Sequence, residues 1–379
     1  MTHPPAKAWI EISRSALKHN VRLVQRIVKP SQVMAIVKAN AYGHGLSEIA
    51  SCLRDLDVSL FGVDALDEAL ALRHMGIDRP VLILGYTPKH RLKEVASHDL
   101  SQTVYNLETV KILSQFASKK HPARVHLKIE TGLHRQGIEL SDLPMFLSAV
   151  CRSSNVIIEG VSTHFANVED TIDSSFATLQ MERFAQALSL IQEAGVDPAW
   201  KHAACSAAAF LHPEARFNVI RLGISMYGLW SSELIEQVCA SRGWKLRPVL
   251  SWKTMVAQVK MVAKGEPVSY GLTRRVDRLS RIAVLPVGYA DGFDRMSQSN
   301  QGEVLIRGKR CPILGRVCMN MCMADVTDVP GVRAEDEVVL IGQQRGQTCP
   351  AEDLAALGKT INYETVARLN ALIPRVLVK

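Results

Sequence analysis

The chain has 379 residues, 47% of them hydrophobic and 22% charged, with a formal net charge of +8 and a pI of about 9.1. This is the composition of an ordinary globular protein, long enough for two or three domains or for one α/β barrel with a smaller domain. No apolar run approaches the roughly 18 residues of a membrane span, and the densest basic spots, Lys119-Lys120 and Arg274-Arg275, are short and lack interleaved aromatics, which argues against nucleic acid.

Met1 to Asn20 is polar and mixed, without the apolar stretch of an export signal, so the expected compartment is the cytoplasm. From there to about Trp230, short apolar strands alternate with amphipathic helical stretches. The expected strands are Met34–Val37, Leu60–Val63, Val81–Leu84, Gln102–Tyr105, Val125–Ile129, Ile157–Ser162, Trp200–Ala204 and Asn218–Arg221. Helical patterns run from Asp64 to Met75, from Asn106 to Ala117 behind an N-cap-like Asn, and from Thr178 to Ala194. Eight such alternations predict an α/β fold, a (β/α)8 TIM barrel over residues 10–235. Beyond it, β-rich segments punctuated by Gly and Pro (Leu250–Val262, Arg281–Val287, Gly302–Arg307, Pro312–Asp325 and Glu337–Ile341) predict a mostly-β domain over 236–379. Residues 1–9 are expected to pack with that domain, and Trp9–Ile12 to pair with its sheet.

Eight cysteines are present with no C-x-x-C pair. Cys318 and Cys322 lack the second pair or nearby His that a zinc site needs, so no metal is expected and the thiols read as free.

Barrels of this type carry their chemistry at the C-terminal ends of the strands. Lys38 closes a β-branched run, Val33 to Val37, that breaks at once into Asn, Gly and Gly. Burial there lowers an amine's pKa and frees its lone pair for covalent chemistry. Lys128 ends the fifth strand, His164 follows the sixth, Ser206 the seventh, and Arg221, Gly223 and Ile224 the eighth. Taken singly, each has a plain structural reading. Lys38 is a surface lysine and Lys128 an outward-facing strand residue. His164 is a satisfied strand-end histidine, Ser206 a helix N-cap, Arg221 an ion-pair residue and Gly223 a tight turn. Together, the Ser206 hydroxyl and the Gly223 and Ile224 N–H groups opposite a strand-end lysine favour a phosphate-bearing cofactor.

Ordered motifs sharpen this. Ala35-Ile36-Val37-Lys38-Ala39-Asn40-Ala41-Tyr42-Gly43-His44-Gly45 is followed by Thr131-Gly132-Leu133-His134-Arg135-Gln136-Gly137 and Arg221-Leu222-Gly223-Ile224-Ser225-Met226-Tyr227-Gly228. Then come Val268-Ser269-Tyr270-Gly271-Leu272-Thr273, Gly288-Tyr289-Ala290-Asp291-Gly292-Phe293-Asp294-Arg295, Cys318-Met319, and Ile361-Asn362-Tyr363-Glu364. In this order, from Trp9 to about Arg375, they resemble the alanine racemase family.

The resemblance implies pyridoxal 5'-phosphate (PLP) held by Lys38 as a Schiff base, and a small-molecule amino acid as substrate. It makes Tyr42, Ser206, Gly223, Ile224 and Tyr363 phosphate contacts. Arg221 would face the pyridine nitrogen, supported by His202. An arginine there opposes a second positive charge on the ring, which suits racemisation and discourages transamination. Lys38 and Tyr270 would be the two catalytic bases. A free tyrosine, near pKa 10, is a poor base, and the family partners it with a barrel histidine, here His164. Arg135 and the Met319 backbone would take the substrate carboxylate. Lys128, matching a lysine often found carbamylated, would position Arg135, and Tyr289 would line the entrance. The family tyrosine acts across subunits, which implies a head-to-tail homodimer with shared sites. The family role is supply of D-alanine for peptidoglycan.

Two positions depart from the family pattern. Cys205 stands where many members have Asn, and Asn320 where many have Asp. Each reads equally as a loosening of substrate choice or as neutral drift, and a broad-spectrum racemase for serine or basic amino acids is the alternative. A non-catalytic PLP-binding carrier is disfavoured by the second domain and Tyr270. A PLP decarboxylase of the same fold is disfavoured by Arg221.

Overall fold

A computed structural model describes residues 6–379, so the first five residues of the segment expected to join the second domain lie outside the described residues. The chain divides into two compact units. One comprises Lys18–Ala41 and Ile49–Leu246. The other comprises the N-terminal stretch through Leu17, then Tyr42–Glu48 and Arg247–Lys379.

The chain opens with strand β1 (Ala8–Ser13) and then builds a barrel from β2 (Gln32–Ile36), β3 (Leu60–Val63), β4 (Val81–Ile83), β5 (Ser101–Val104), β6 (Ala123–Lys128), β7 (Val156–Ser162), β8 (Trp200–His202) and β9 (Val219–Leu222). All pairings among β2–β9 are parallel, in the order β8-β7-β6-β5-β4-β3-β2-β9. Among the described residues this is the expected eight-stranded barrel with intervening helices. Its seam, between β8 and β9, carries no ladder. Asn218 bridges it instead, accepting from the Lys201 N–H (2.8 Å) and donating to Ala199 O (2.5 Å). Further along, the Arg221 N–H donates to Ala204 O (3.0 Å).

The expected helices form at Leu66–His74, Leu107–Phe116 and Ser175–Glu193. Asn106 caps the second, accepting from the Thr109 N–H at 2.9 Å. The third buries Ala177, Gln180, Phe184, Ala187 and Ile191, the three-and-four spacing of one helix face.

The other unit contains β1 with β10 (Leu250–Met255), β11 (Gln258–Val262), β12 (Ser280–Leu285), β13 (Glu303–Ile306), β14 (Lys309–Pro312), β15 (Cys322–Asp325), β16 (Glu337–Gln344), β17 (Gln347–Cys349) and β18 (Arg375–Val378). One sheet runs β14-β13-β16-β10-β1-β18 with β17 on β16, and a second runs β11-β12-β15.

Three sequence-based boundaries change. Residues 10–13, placed at the barrel's start, belong to β1, which pairs with β10 and β18 and buries Ile10 and Ile12 completely. Leu250–Val262 is two strands. The Val256 N–H bonds to Asp336 O and the Ala257 N–H to Val284 O, so the chain changes sheets between them. Pro312–Asp325 is not continuous strand. Gly315 (φ 73°) turns the chain, and the Cys318 N–H closes a loop onto Met321 O. Leu314 and Val317 are buried from this loop, Leu314 in a cluster with Val268, Val276, Ile282 and Met323, and these apolar positions produced the strand-like pattern.

Candidate active site at the C-terminal mouth of the barrel

Lys38 follows β2 directly and is half-buried. The chain then winds the wrong way. Ala39, Asn40, Ala41 and Tyr42 have φ of 53–54°, a left-handed turn closed by the Ala41 N–H on Val37 O at 2.9 Å. Left-handed helical conformation costs non-glycine residues roughly 1–2 kcal/mol each. Strain of this kind collects at functional sites. Glu68 braces the turn, accepting from the N–H groups of Asn40, Asp64 and Ala65. At Gly43 (φ 79°) a Cβ would lie 1.9 Å from Val366 O, so only glycine lets the chain pass the helix Asn362–Ala367. In that same unit the Tyr42 and Tyr363 rings stand 6.1 Å apart, so the two tyrosines assigned to phosphate are neighbours.

Strand β6 alternates Arg124, His126 and Lys128 on one face with Val125, Leu127 and Ile129 on the other. Lys128 is buried, not outward-facing. Burial pushes its amine pKa well below the ordinary lysine value, the Arg221 and Arg135 charges add to this, and Glu130 opposes it. Arg135 is exposed, in a loop organised by Glu130. Burial there favours the neutral acid, but the N–H groups of His134, Gly132 and Leu133 hold the Glu130 carboxyl below its usual range. Gly132 donates at 2.6 Å.

Arg221, in β9, is buried, and both its Nη atoms are clamped. Its Nη1 donates to His202 Nδ1 and His202 O, both at 2.9 Å. Its Nη2 donates to Ala203 O (2.6 Å), Thr163 O (2.9 Å) and His164 Nδ1 (3.1 Å). Burial, followed by the Arg221 charge, pushes both His164 and His202 well below the ordinary histidine pKa. Gln180, fully buried, holds the His164 loop by donating to His164 O and Thr131 Oγ1, each at 3.0 Å. Ser206 is buried at the start of the helix Ser206–Leu211, and its Oγ accepts from the Gly223 N–H at 3.0 Å. Ile224 opens the next turn, where backbone N–H groups lack partners within the turn. Cys205 gives the helix start no side-chain cap.

Lys38, Lys128, His164, His202, Arg221, Ser206, Gly223 and Ile224 thus come together in the barrel unit. Tyr270, Tyr289 and Met319 lie in the other unit and share one loop cluster. The Ser269 Oγ donates to Arg316 O (2.5 Å), the Tyr289 N–H to Cys318 O (3.0 Å), and the Ala290 N–H to Met319 O (2.9 Å). Tyr270 is 65% exposed, and Asn320 is exposed as well. Sequence reasoning missed Glu68, His126, Glu130, Glu159 and Gln180. His126, Glu130 and Gln180 were signalled only as polar residues at buried positions, and half-buried Glu68 and Glu159 carried no such signal. Among the described residues no His, Cys, Asp and Glu cluster could hold a metal, and no helix is long and apolar enough to cross a membrane.

Residues 12–231 match the family model for the alanine racemase N-terminal domain, and residues 249–377 that for the alanine racemase C-terminal domain. The chain is 38% identical to the alanine racemase of Methanococcus maripaludis over 99% of each chain. Its fold is similar to the crystal structure of the Bacillus anthracis alanine racemase with bound L-Ala-P, with a TM-score of 0.92 and 34% identity over 100% of this chain and 96% of that one. It is also similar to the histidine racemase of Leuconostoc mesenteroides, with a TM-score of 0.90 and 29% identity over 100% of both.

Proposed function

Since the chain belongs to the alanine racemase family, we propose that it interconverts L- and D-alanine with pyridoxal 5'-phosphate, in the cytoplasm, and supplies D-alanine for peptidoglycan. The observation that carries this reading is Arg221, a permanent cation whose Nη atoms donate to two imidazole nitrogens and three backbone carbonyls at the barrel mouth that Lys38 also occupies. The donor set fits the cofactor. The Ser206 hydroxyl, whose oxygen accepts from the Gly223 N–H and whose own proton is left to donate, and the Ile224 N–H suit a phosphate, which the Gly223 N–H would share with Ser206. The hydroxyl of buried Ser225, next along, has no hydrogen-bond partner among the described residues, as a group awaiting a ligand would. Tyr42 and Tyr363 carry the same phosphate assignment.

When bound, the cofactor supplies the electron sink that makes the substrate α-proton removable. The rest falls to the protein. Lys38 takes or returns that proton on one face and Tyr270 on the other. His164 accepts from Arg221 at Nδ1, so its proton sits on Nε2, where it is a donor suited to a phenolate. Arg135 and the Met319 N–H orient the substrate carboxylate, with Asn320 beside them. Lys128 orients Arg135, and Tyr289 lines the entrance. Leu272, Met319 and Met321 are exposed near Tyr270 in the chain fold. An apolar surface around a catalytic tyrosine supports a homodimer with shared sites.

The likeness to a histidine racemase favours one second reading, a broader amino-acid racemase. Purified protein given PLP and a panel of L-amino acids, read by chiral chromatography, decides between them. The expected result is fast turnover of alanine with serine, lysine and histidine nearly untouched. Comparable rates on several substrates would establish the broader enzyme. Release of CO2 would mark a decarboxylase.

A further inference from the structure

Beyond Arg221 the hydrogen bonds continue into the barrel. His202 Nε2 lies 3.0 Å from His126 Nδ1, and His126 Nε2 lies 3.3 Å from Glu159 Oε2. Both imidazoles are fully buried. Glu159 also accepts from Ser101 Oγ (2.5 Å) and from Arg124 Nη1 (3.4 Å).

The direction of every bond follows from the ends. Arginine can only donate, so His202 Nδ1 accepts and its proton sits on Nε2. That proton makes His126 Nδ1 an acceptor, so the His126 proton sits on Nε2. A carboxylate can only accept, and Glu159 receives it. Reversing the chain would turn an N–H of His202 against an N–H of Arg221. Burial disfavours the Glu159 carboxylate, but hydrogen bonds from His126 and Ser101 outweigh it and keep the carboxyl below its usual range.

The backbone is shaped to admit this chain. His126 and His202 lie on β6 and β8, which are not neighbours, since β7 runs between them. The His126 ring crosses β7 over Gly160, where a Cβ would lie 2.3 Å from His126 Nδ1. Next to it the β6–β7 register slips. Val125 pairs with Ile158 and His126 with Gly160, leaving Glu159 as the extra residue. A bulge of this kind re-aims a side chain, here onto the face that carries His126. Two buried imidazoles and a carboxylate are poor stabilisers compared with apolar packing of the same volume. A glycine and a bulge that serve them point to a role beyond stability.

We propose that Glu159 and His126 are positioning residues for Arg221, with the acceptor-only Glu159 carboxylate fixing both histidine tautomers so that only acceptors meet the guanidinium. The carboxylate thereby orients Arg221 from two imidazoles away, without neutralising its charge at contact distance. The consequence for catalysis rests on the cofactor reading above. The tautomer assignment concerns the protein alone.

Glu159→Gln is nearly isosteric, but its amide presents either an acceptor or a donor to His126. The test uses 15N-histidine-labelled full-length protein, with and without PLP, His126 and His202 being assigned through single variants. Wild type is expected to show Nε2–H at both rings, and Glu159→Gln a mixture of tautomers. In the loaded enzyme kcat for alanine falls about tenfold to a hundredfold, the range for removing a group that orients a ligand. KM stays within twofold, since Glu159 touches no substrate. Nδ1–H at either ring of the wild type, or a Glu159→Gln kcat within twofold of wild type, would overturn the proposal. Failure of wild type to racemise alanine would instead refute the functional reading, and the tautomer spectra would still decide the relay.

Discussion

Arg221 Nη2 and His164 Nδ1 are 3.1 Å apart, and this one bond dictates where His164 keeps its proton. An acceptor at Nδ1 leaves the N–H at Nε2. The low pKa of the ring, set by burial and by the charges of Arg221, Lys128, Arg135 and Lys38, keeps it from taking a second proton. His164→Leu removes that donor but keeps the volume. We expect the pH profile of kcat/KM to shift its basic limb, with a loss of about a hundredfold at neutral pH. An unchanged profile would separate His164 from the base it is proposed to assist. His164→Gln, which retains an N–H donor, should recover part of the loss.

The same positive charges bear on Lys128. Burial first, then the Arg221 and Arg135 charges, disfavours its ammonium form, and those two charges would favour an anion in its place. A neutral amine adds CO2 to give a carbamate and a proton, and Arg135 and Arg221 would stabilise the product charge. With 13C-bicarbonate the protein should show a carbamate carbon by NMR that Lys128→Met lacks. Activity should fall in CO2-free buffer and return when bicarbonate is added. Identical spectra for wild type and Lys128→Met would contradict this.

Folding stability should fall as the solution is acidified. The folded-state pKa of His202 is lowered, so the unfolded chain binds a proton that the folded ring refuses. Stability is therefore lost as pH drops through the unfolded value, about 6.5, at up to about 1.4 kcal/mol per pH unit for this residue. His164 acts in the same direction. Glu159 and Glu130, with lowered folded pKa values, contribute stability above the unfolded value of about 4.3 that is lost as pH falls towards their folded values. Urea midpoints measured at intervals from pH 7.5 to 2.5 should decline from about pH 6.5 through the histidines and decline further below about pH 4.3 as the glutamates take up protons. A flat profile down to pH 5 would contradict the histidine assignment.

How far the sequence foretold these groups depends on the distance over which each is explained. Lys38, Ser206 and Arg221 lie near strand ends within local motifs; strand periodicity placed them at the barrel mouth, and the motif resemblance singled them out from their plain structural readings. His126 owes its role to His202 in β8, 76 residues further on, and Glu159 joins it only through His126, 33 residues back, at a bulge beside a bare glycine. No local pattern encodes that. The left-handed turn after Lys38 was hidden because only Asn40 among its four residues favours such dihedrals. The eight-stranded barrel was legible, but the way its seam closes was not, since Asn218 bridges it through its side chain and not through a strand ladder.

Gly43→Ala should be among the most damaging single changes in the chain. The added methyl meets Val366 O at 1.9 Å and the backbone sits at φ 79°. Either problem alone costs about 1 kcal/mol or more, and together they exceed the typical single-mutant loss. A drop in melting temperature of several degrees is expected. Wild-type stability in this variant would mean that the helix Asn362–Ala367 can withdraw freely.

Tyr270 carries the prediction that bears on both mechanism and assembly. With Lys38 and Tyr270 on opposite faces of the substrate, Tyr270→Phe should slow α-deuterium exchange from one alanine enantiomer far more than from the other, and Lys38→Ala should abolish exchange from both because it also removes the cofactor attachment. Equal losses in Tyr270→Phe would contradict the two-base scheme. If the tyrosine serves the partner's site, neither variant homodimer has a complete site. Mixed dimers each have one, built from the Lys38 of one copy and the Tyr270 of the other. Random reassortment makes half the dimers mixed, so co-refolded variants should regain about a quarter of wild-type activity. Mixed dimers that form without regaining activity would place Tyr270 in its own subunit's site.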